Sequence, residues 1–337
     1  MKVPEPKRLP SGNWFIRMRL GGVSVPVTAR SKAECIHIAE LKKTQYRAGI
    51  GEIKKLPKDI TLREAMTLYI NEYRGQLSPP TVKAYLSYKD HRFKEYLDKP
   101  LSSIRWQEMI DAELKKQVSE KTVSNAWGLV RPSLKFVGYP TPDVKLAQVP
   151  VNERPFLLPD EIKPFCKALK GRPYEIAALL ELHGLRLSEM KALTWDDIDL
   201  KHKVIYVRGA YVNGVDGYVD KDANKNAAST RPVPIMIPQL ETALKAVKDK
   251  SGRVVTTHPS VLYEDVKRAC KIAGVSSCGN HDLRRSFASL CFYMGIPERQ
   301  IMEWGGWKDR ETLHRVYIRL SAAMENENKK TFEGFFR

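Results

Sequence analysis

The sequence predicts a multidomain, mainly α protein with small β-sheets. Three observations carry that expectation. The chain has 337 residues, enough for two or three domains. Strand-like patterning is confined to two stretches, residues 13–28 and about 203–235, and helical periodicity fills most of the rest. A segment with four prolines and little apolar periodicity, residues 138–155 (GYPTPDVKLAQVPVNERP), divides the chain. The expected parts are an N-terminal ββ(β)α module over residues 1–56, a helical domain over 57–139, a linker over 140–155, and a larger α+β domain with a C-terminal tail over 156–337.

Each element follows from local chemistry. Asn13 to Arg19 and Val23 to Thr28 read as short strands, with Gly21-Gly22 as the turn between them. Ser31 and Glu34 have capping-box spacing and open a helix that runs towards Gly49. Thr61 and Glu64 form another such box before LREAMTLYINEY. Ser78-Pro79-Pro80 then breaks the chain and starts a helix expected to run from Thr81 to Leu97. Two more helices are expected at about 105–117 and 119–137. Beyond the linker, Pro159-Asp160-Glu161 opens a helix, the apolar EIAALLELHG follows, and then LSEMKAL. A β segment includes KVIYVRG and ends in RPVPI. The remainder is helical, with Pro238, Pro259 and Pro297 at helix starts.

Charge narrows the partners. Lys and Arg number 57 against 39 Asp and Glu, a formal net charge of +18. Such a surplus favours a polyanion, since neutralising phosphates supplies most non-specific nucleic-acid affinity. The basic N-terminal module suits a minor DNA-binding unit, or else a solvated hairpin and helix used for packing. The helix after Pro80 mixes Lys83, Tyr85, Tyr88, Lys89, His91, Arg92 and Lys94, a set suited to phosphates and sugars or to a solvated cationic face. No stretch approaches the about 18 apolar residues of a membrane span, and the N-terminus lacks an apolar signal core. Five cysteines without CxxC spacing argue for free thiols in a reducing cytoplasm, not a disulfide frame or structural zinc.

Several chemistries have no visible home. There is no Walker loop, GxGxxG, HExxH or GxSxG motif. Asp196, Asp197 and Asp199 in TWDDIDL read as capping residues, not metal ligands. No metal, ATP or other cofactor is expected, so phosphate chemistry would fall to side chains.

Three segments of the last domain carry the strongest signal. The first is His183-Gly184-Leu185-Arg186-Leu187-Ser188-Glu189, continuing to TWDDIDL. An arginine straight after an apolar helix and a glycine turn is an expensive place for a charge unless it has a partner. The second is His281-Asp282-Leu283-Arg284-Arg285-Ser286-Phe287-Ala288, where His281 and Arg284 share a helix face. The third is Gly305-Gly306-Trp307, with Tyr317 ten residues later.

In wording, order and spacing, these segments resemble the boxes of the tyrosine recombinase family, also called phage integrases. The likeness covers residues 156 to 320. Gly184 through Leu200 fits GLRxSEhxxLxWxDID (h apolar), and HDLRRSFAS fits the second box. The third usually reads LGH before its tyrosine; here Trp307 replaces the histidine, as in some members. The two upstream regions match the family's arm-binding module and helical core-binding domain, and the last part its catalytic domain.

The resemblance implies a site-specific recombinase that cuts and rejoins DNA through a 3′-phosphotyrosyl intermediate. Arg186 and Arg284 would stabilise charge on the non-bridging oxygens with forked hydrogen bonds. Tyr317, one of 14 tyrosines, would be the nucleophile. His281 would give or take a proton, or orient the phosphate. Trp307 has one indole N–H and no acceptor, so it would bond a phosphate oxygen or buttress Tyr317. The leaving 5′-oxygen needs an acid, and the family takes a hairpin lysine for it. Lys225, six residues before Arg231, fits the usual TKTxxxxRxVPI form, and Lys221 is the alternative. Glu189 would orient Arg186 or His281, or face solvent. The implied partners are double-stranded attachment sites, three further copies in a tetramer on DNA, and accessory DNA-bending or directionality proteins. The implied source is a phage or mobile element acting in the cytoplasm of a prokaryotic host. A type IB topoisomerase, or a DNA-binding protein without cleavage activity, are the competing readings. The tail ends in Phe332, Phe335 and Phe336, which would pass to a neighbouring subunit or dock on their own.

Overall fold

The computed structural model describes residues 3–10, 12–20, 23–47, 60–150, 155–222 and 231–336. The Gly21-Gly22 turn, the helix end near Gly49, and Lys225 lie outside them. The chain divides into two units, Met1–Tyr73 with Tyr85–Ala147, and Arg74–Ala84 with Gln148–Arg337.

The first unit opens with an antiparallel sheet, in the order β1 (Lys7–Arg8), β2 (Trp14–Leu20), β3 (Val23–Ala29). Side chains alternate with period two. Ile16, Met18 and Leu20 are buried, whereas Arg17 and Arg19 face out opposite Pro26 and Ser24. Helix α1 (Lys32–Arg47) covers the apolar face with Cys35 and Ala39. Ser31 Oγ accepts from the Glu34 amide at 3.1 Å, the first half of the capping box.

Four helices follow: α2 (Leu62–Tyr73), α3 (Pro79–His91), α4 (Trp106–Lys115) and α5 (Glu120–Phe136). The Thr61–Glu64 box is reciprocal, with Thr61 N to Glu64 Oε2 at 2.8 Å and Glu64 N to Thr61 Oγ1 at 3.3 Å. The helix expected to reach Leu97 instead ends at His91. Phe93 adopts φ 54° and is 1% exposed. Its amide donates to the buried carboxylate of Glu113 at 3.2 Å, and Arg92 Nη1 donates to the same group at 3.2 Å. Burial of the ring and this acceptor outweigh the roughly 1–2 kcal/mol of a left-handed residue.

The second unit holds the larger core. Helices α6 (Pro159–Leu169), α7 (Glu175–Leu182) and α8 (Leu187–Ala192) lead into β4 (Ile198–Asp199) and β5 (Val204–Val207). A hairpin, β6 (Gly209–Gly214) and β7 (Gly217–Asp222), precedes β8 (Arg231–Pro234). The sheet order is β4-β5-β8, all antiparallel, with Val207 opposite Arg231. Asp197 caps its own turn by accepting from Thr194 N and Oγ1 at 3.0 Å each, the role expected for that acidic cluster. Helices α9 (Pro238–Ala246), α10 (Pro259–Ala273), α11 (Asn280–Tyr293), α12 (Glu298–Gly305), α13 (Arg310–Ala323) and α14 (Glu325–Phe335) complete the chain. Helix α7 is apolar nearly all round and packs against α11. All five cysteines are free, and no helix among the described residues is long and apolar enough to cross a membrane.

Candidate active site

The last turn of α12 leaves carbonyls that the helix cannot satisfy. Gly306, at φ 66°, closes the helix in the left-handed conformation. Three successive carbonyls there each receive a different arginine. Trp304 O accepts from Arg231 Nε at 3.0 Å, Gly305 O from Arg284 Nη1 at 2.6 Å, and Gly306 O from Arg186 Nη2 at 2.5 Å. Three cations thus gather on the negative end of one helix dipole. They come from three places in the chain: the N-terminus of α8, the first residue of β8, and the second turn of α11.

The glycines are required by this packing. A Cβ on Gly305 would fall 1.8 Å from the Trp307 ring, and one on Gly306 would fall 2.8 Å from Arg231 Nη1. Upstream, Gly184 (φ 90°) turns the chain from α7 towards Arg186 with its Cα against Phe287, where a Cβ would meet the ring at 2.8 Å. Trp307 presents its ring face to Arg284, whose Cζ stands 3.8 Å from the ring centroid.

Glu189 binds the arginines from the opposite side. It accepts from Arg186 N at 2.9 Å and Nη1 at 2.5 Å, and from Arg231 Nη1 at 3.0 Å and Nη2 at 2.7 Å. It is buried, so the solvent-facing alternative does not hold, and its partners are Arg186 and Arg231. Burial pushes its carboxyl up, but the Arg231 hydrogen bonds and charge, with those of Arg186, outweigh this and hold it below the usual carboxylate range. Arg284 is 2% exposed. Burial, then the charge of Arg186, pushes its guanidinium down to about 9, which leaves it charged at neutral pH. Its Nη1 also donates to Gly184 O, while its buried Nη2 has no hydrogen-bond partner among the described residues. Three guanidiniums against one carboxylate leave an electropositive site with an open donor, an arrangement fitted to an anion.

The other expected residues stand as follows. His281 lies exposed in the first turn of α11, one turn before Arg284. Trp307 stacks on Arg284 and lies parallel to the Phe287 ring, centroids 6.4 Å apart. Tyr317 sits on α13, 47% exposed, with its ring 5.3 Å from Phe292 and 6.3 Å from His314. Lys221 is the penultimate residue of β7 and lines, with Glu189, Asp197 and Arg208, a cavity of about 150 Å³. Arg253 anchors that hairpin. It forks onto Asp220 at 2.7 and 2.9 Å, stacks on Tyr211 at 3.9 Å, and donates to Lys191 O at 3.0 Å. Sequence reasoning missed Arg231 and Arg253 as site residues. For Arg231 a signal existed, since it stood as the fixed point from which Lys225 was counted.

Comparison with known proteins agrees with this architecture. The family model described as "Phage integrase family" matches residues 155–324, half of the chain. A XerC-like tyrosine recombinase of Caldanaerobacter subterraneus subsp. tengcongensis is 24% identical, over 88% of this chain and 89% of its own. The Tn1549 transposon integrase, solved with transposon right end DNA, superposes with a TM-score of 0.65 at 16% identity, covering 79% of this chain and 99% of its own. A lambda integrase tetramer bound to a Holliday junction gives a TM-score of 0.56 at 18% identity, over 91% and 96% of the two chains. The chain belongs to the phage integrase family, the tyrosine-type site-specific DNA recombinases.

Proposed function

We propose that this recombinase cuts and rejoins double-stranded attachment sites through a 3′-phosphotyrosyl link on Tyr317, without metal or ATP. The observation that carries the reading is the arginine cluster on the α12 carbonyls, with Arg284 Nη2 left unpaired among the described residues. In-line attack by the phenolate on a phosphodiester breaks the bond to the 5′-oxygen and forms the tyrosyl ester. Extra negative charge then develops on the non-bridging oxygens, where Arg186 and Arg284 donate. Preorganised donors of this kind supply about 3–4 kcal/mol each. His281 handles a proton or orients the phosphate. Lys225 protonates the leaving 5′-oxygen, with Lys221 as its alternative. Trp307 holds Arg284 flat by stacking, and its indole N–H is a further donor. Because the ester keeps the bond energy, a 5′-hydroxyl reverses the step and rejoins the strands.

The N-terminal module would hold arm sites, the helices of residues 57–139 would hold core sites, and the larger domain would cut. Helix α14 and its C-cap leave Phe332, Phe335 and Phe336 between 70% and 85% exposed. Such a surface suits packing on a neighbouring subunit, as in a tetramer on DNA, with accessory bending or directionality proteins setting direction. A phage or mobile element as source, and the cytoplasm of a prokaryotic host as place of action, follow from the same reading.

The test uses duplexes selected by this chain from a random-sequence pool and then nicked, so that the cut end diffuses away. Wild type should accumulate a covalent DNA adduct, and Tyr317→Phe should bind the duplex with no adduct. An adduct from Tyr317→Phe rules out the assignment of the nucleophile. DNA binding without any wild-type adduct favours a chain that has lost cleavage. Supercoil relaxation without joining of two duplexes favours a type IB topoisomerase.

A further inference from the structure

Arg231 has no assigned part in the chemistry, yet it joins the two sides of the site, the α12 turn and Glu189. Its Nε donates to Trp304 O, and its two Nη atoms fork onto both oxygens of Glu189. Its side chain is 16% exposed, against 39% for Arg186. All three of its nitrogens bind the protein, and its deeper burial makes it less accessible to a phosphate than Arg186. Its backbone is fixed as well, because Arg231 pairs with Val207 in the central sheet.

We propose that Arg231 is a positioning residue of the recombination site: it ties Glu189 to the Trp304–Trp307 turn and thereby fixes Arg186 and Trp307 together. The inference rests on the phosphoryl-transfer reading above. Two routes run from this one guanidinium. Through Glu189 it sets Arg186, because the same carboxylate receives the backbone and side-chain N–H of Arg186. Through the turn it sets Trp307. The guanidinium occupies the space where a side chain at position 306 would stand, and Trp307 follows directly with its face on Arg284. Without Arg231, Glu189 keeps only its bonds to Arg186, and the turn loses its side support. Both guanidiniums aimed at the phosphate would then be held loosely. A misplacement of about 1 Å costs about a hundredfold in rate where orientation dominates.

The experiment compares full-length wild type, Arg231→Met and Arg231→Lys on the selected, nicked duplex. It measures the single-turnover rate of adduct formation at saturating duplex, the Kd for the duplex, and the melting temperature. Arg231→Met should slow adduct formation about a hundredfold with Kd within about threefold of wild type. Arg231→Lys keeps the charge but cannot fork onto Glu189 and reach Trp304 O at once. It should fold, bind normally and react about tenfold slower. A wild-type rate from Arg231→Lys overturns the proposal even if Arg231→Met fails to fold. Rate and affinity falling in parallel overturn it too, since that reports general damage. If wild type forms no adduct, the phosphoryl-transfer reading has failed, and this inference falls with it.

Discussion

At the scale of single residues, buried charge is the clearest constraint, and it runs in opposite directions on two glutamates. Glu189 is surrounded by arginine donors and held as a carboxylate. Glu181, on α7, is 1% exposed, and neither of its oxygens has a hydrogen-bond partner among the described residues. Burial, then the charge of Asp282, raises its carboxyl well above the ordinary value, so it is held protonated. The folded state therefore binds this proton more tightly than the unfolded chain does. The stability contributed at low pH is lost as pH rises from the unfolded carboxyl value, about 4.3, towards the folded one, by at most about 1.4 kcal/mol per pH unit. Glu181→Gln keeps the shape and removes the proton. Its melting temperature should be equal to wild type or lower near pH 4 and higher near pH 8; parallel pH profiles for the two proteins would refute this. Glu189 has the opposite sign. Its lowered value contributes stability above the unfolded carboxyl value, and that contribution is lost as pH falls through the folded one. Glu189→Gln should therefore destabilise at pH 7, and that penalty should shrink as pH falls through the folded carboxyl value, which lies below the ordinary one. Thermal melts at pH 3.5 and 7 check it.

At the scale of elements, the C-terminal turn of α12 is where conformation and packing meet. Gly306→Ala meets two obstacles, a left-handed backbone and the Arg231 guanidinium at 2.8 Å. Gly295, at φ 69° after α11, has the same conformation with nothing within 4 Å of a Cβ. Gly295→Ala should lose about 1–2 kcal/mol, the left-handed penalty alone. Gly306→Ala should lose more and also slow adduct formation, because Arg231 must move. Equal losses in denaturant melts, with an unchanged adduct rate, would show that Arg231 yields freely. The same turn marks the limit of what the sequence made legible. Capping boxes such as Thr61–Glu64 and proline starts such as Pro159 and Pro238 are local, and they gave most helix beginnings. The boxes around Arg186, Arg284 and Trp307 were legible as motifs. Their meeting on three adjacent carbonyls was not, because it depends on contacts up to 120 residues apart. For the same reason the break at Phe93 escaped notice, since the acceptor that replaces the helical bond, Glu113, lies 20 residues away. Lys225 shows a third kind of limit, because it falls outside the described residues and the choice between it and Lys221 rests on motif spacing.

At the scale of the whole molecule, the governing quantity is a formal charge of +18 set against a polyanion. A recombinase must hold its duplex through the cut, and phosphate contacts supply that grip by releasing condensed counterions. The surplus is patterned as well as large. On β2 the alternation that buries Ile16, Met18 and Leu20 leaves Arg17 and Arg19 side by side on the outer face of the N-terminal sheet. Arg17 is steadied over the Phe15 ring at 5.7 Å. Because these arginines point away from the apolar core, replacing them should leave folding intact, so their effect on DNA reads out contact alone. For duplex DNA the logarithm of affinity falls with the logarithm of salt, with a slope of about −0.9 per phosphate neutralised. The double variant Arg17→Gln, Arg19→Gln should therefore bind a random duplex more weakly at 50 mM salt, with a slope shallower by about 2 if each arginine holds one phosphate. The two titration curves should converge as salt rises, since the lost contribution is electrostatic. Fluorescence anisotropy of a labelled duplex across 50–200 mM salt measures both slopes. Parallel lines would remove the outer face of this sheet from the DNA interface and leave the grip to the rest of the chain.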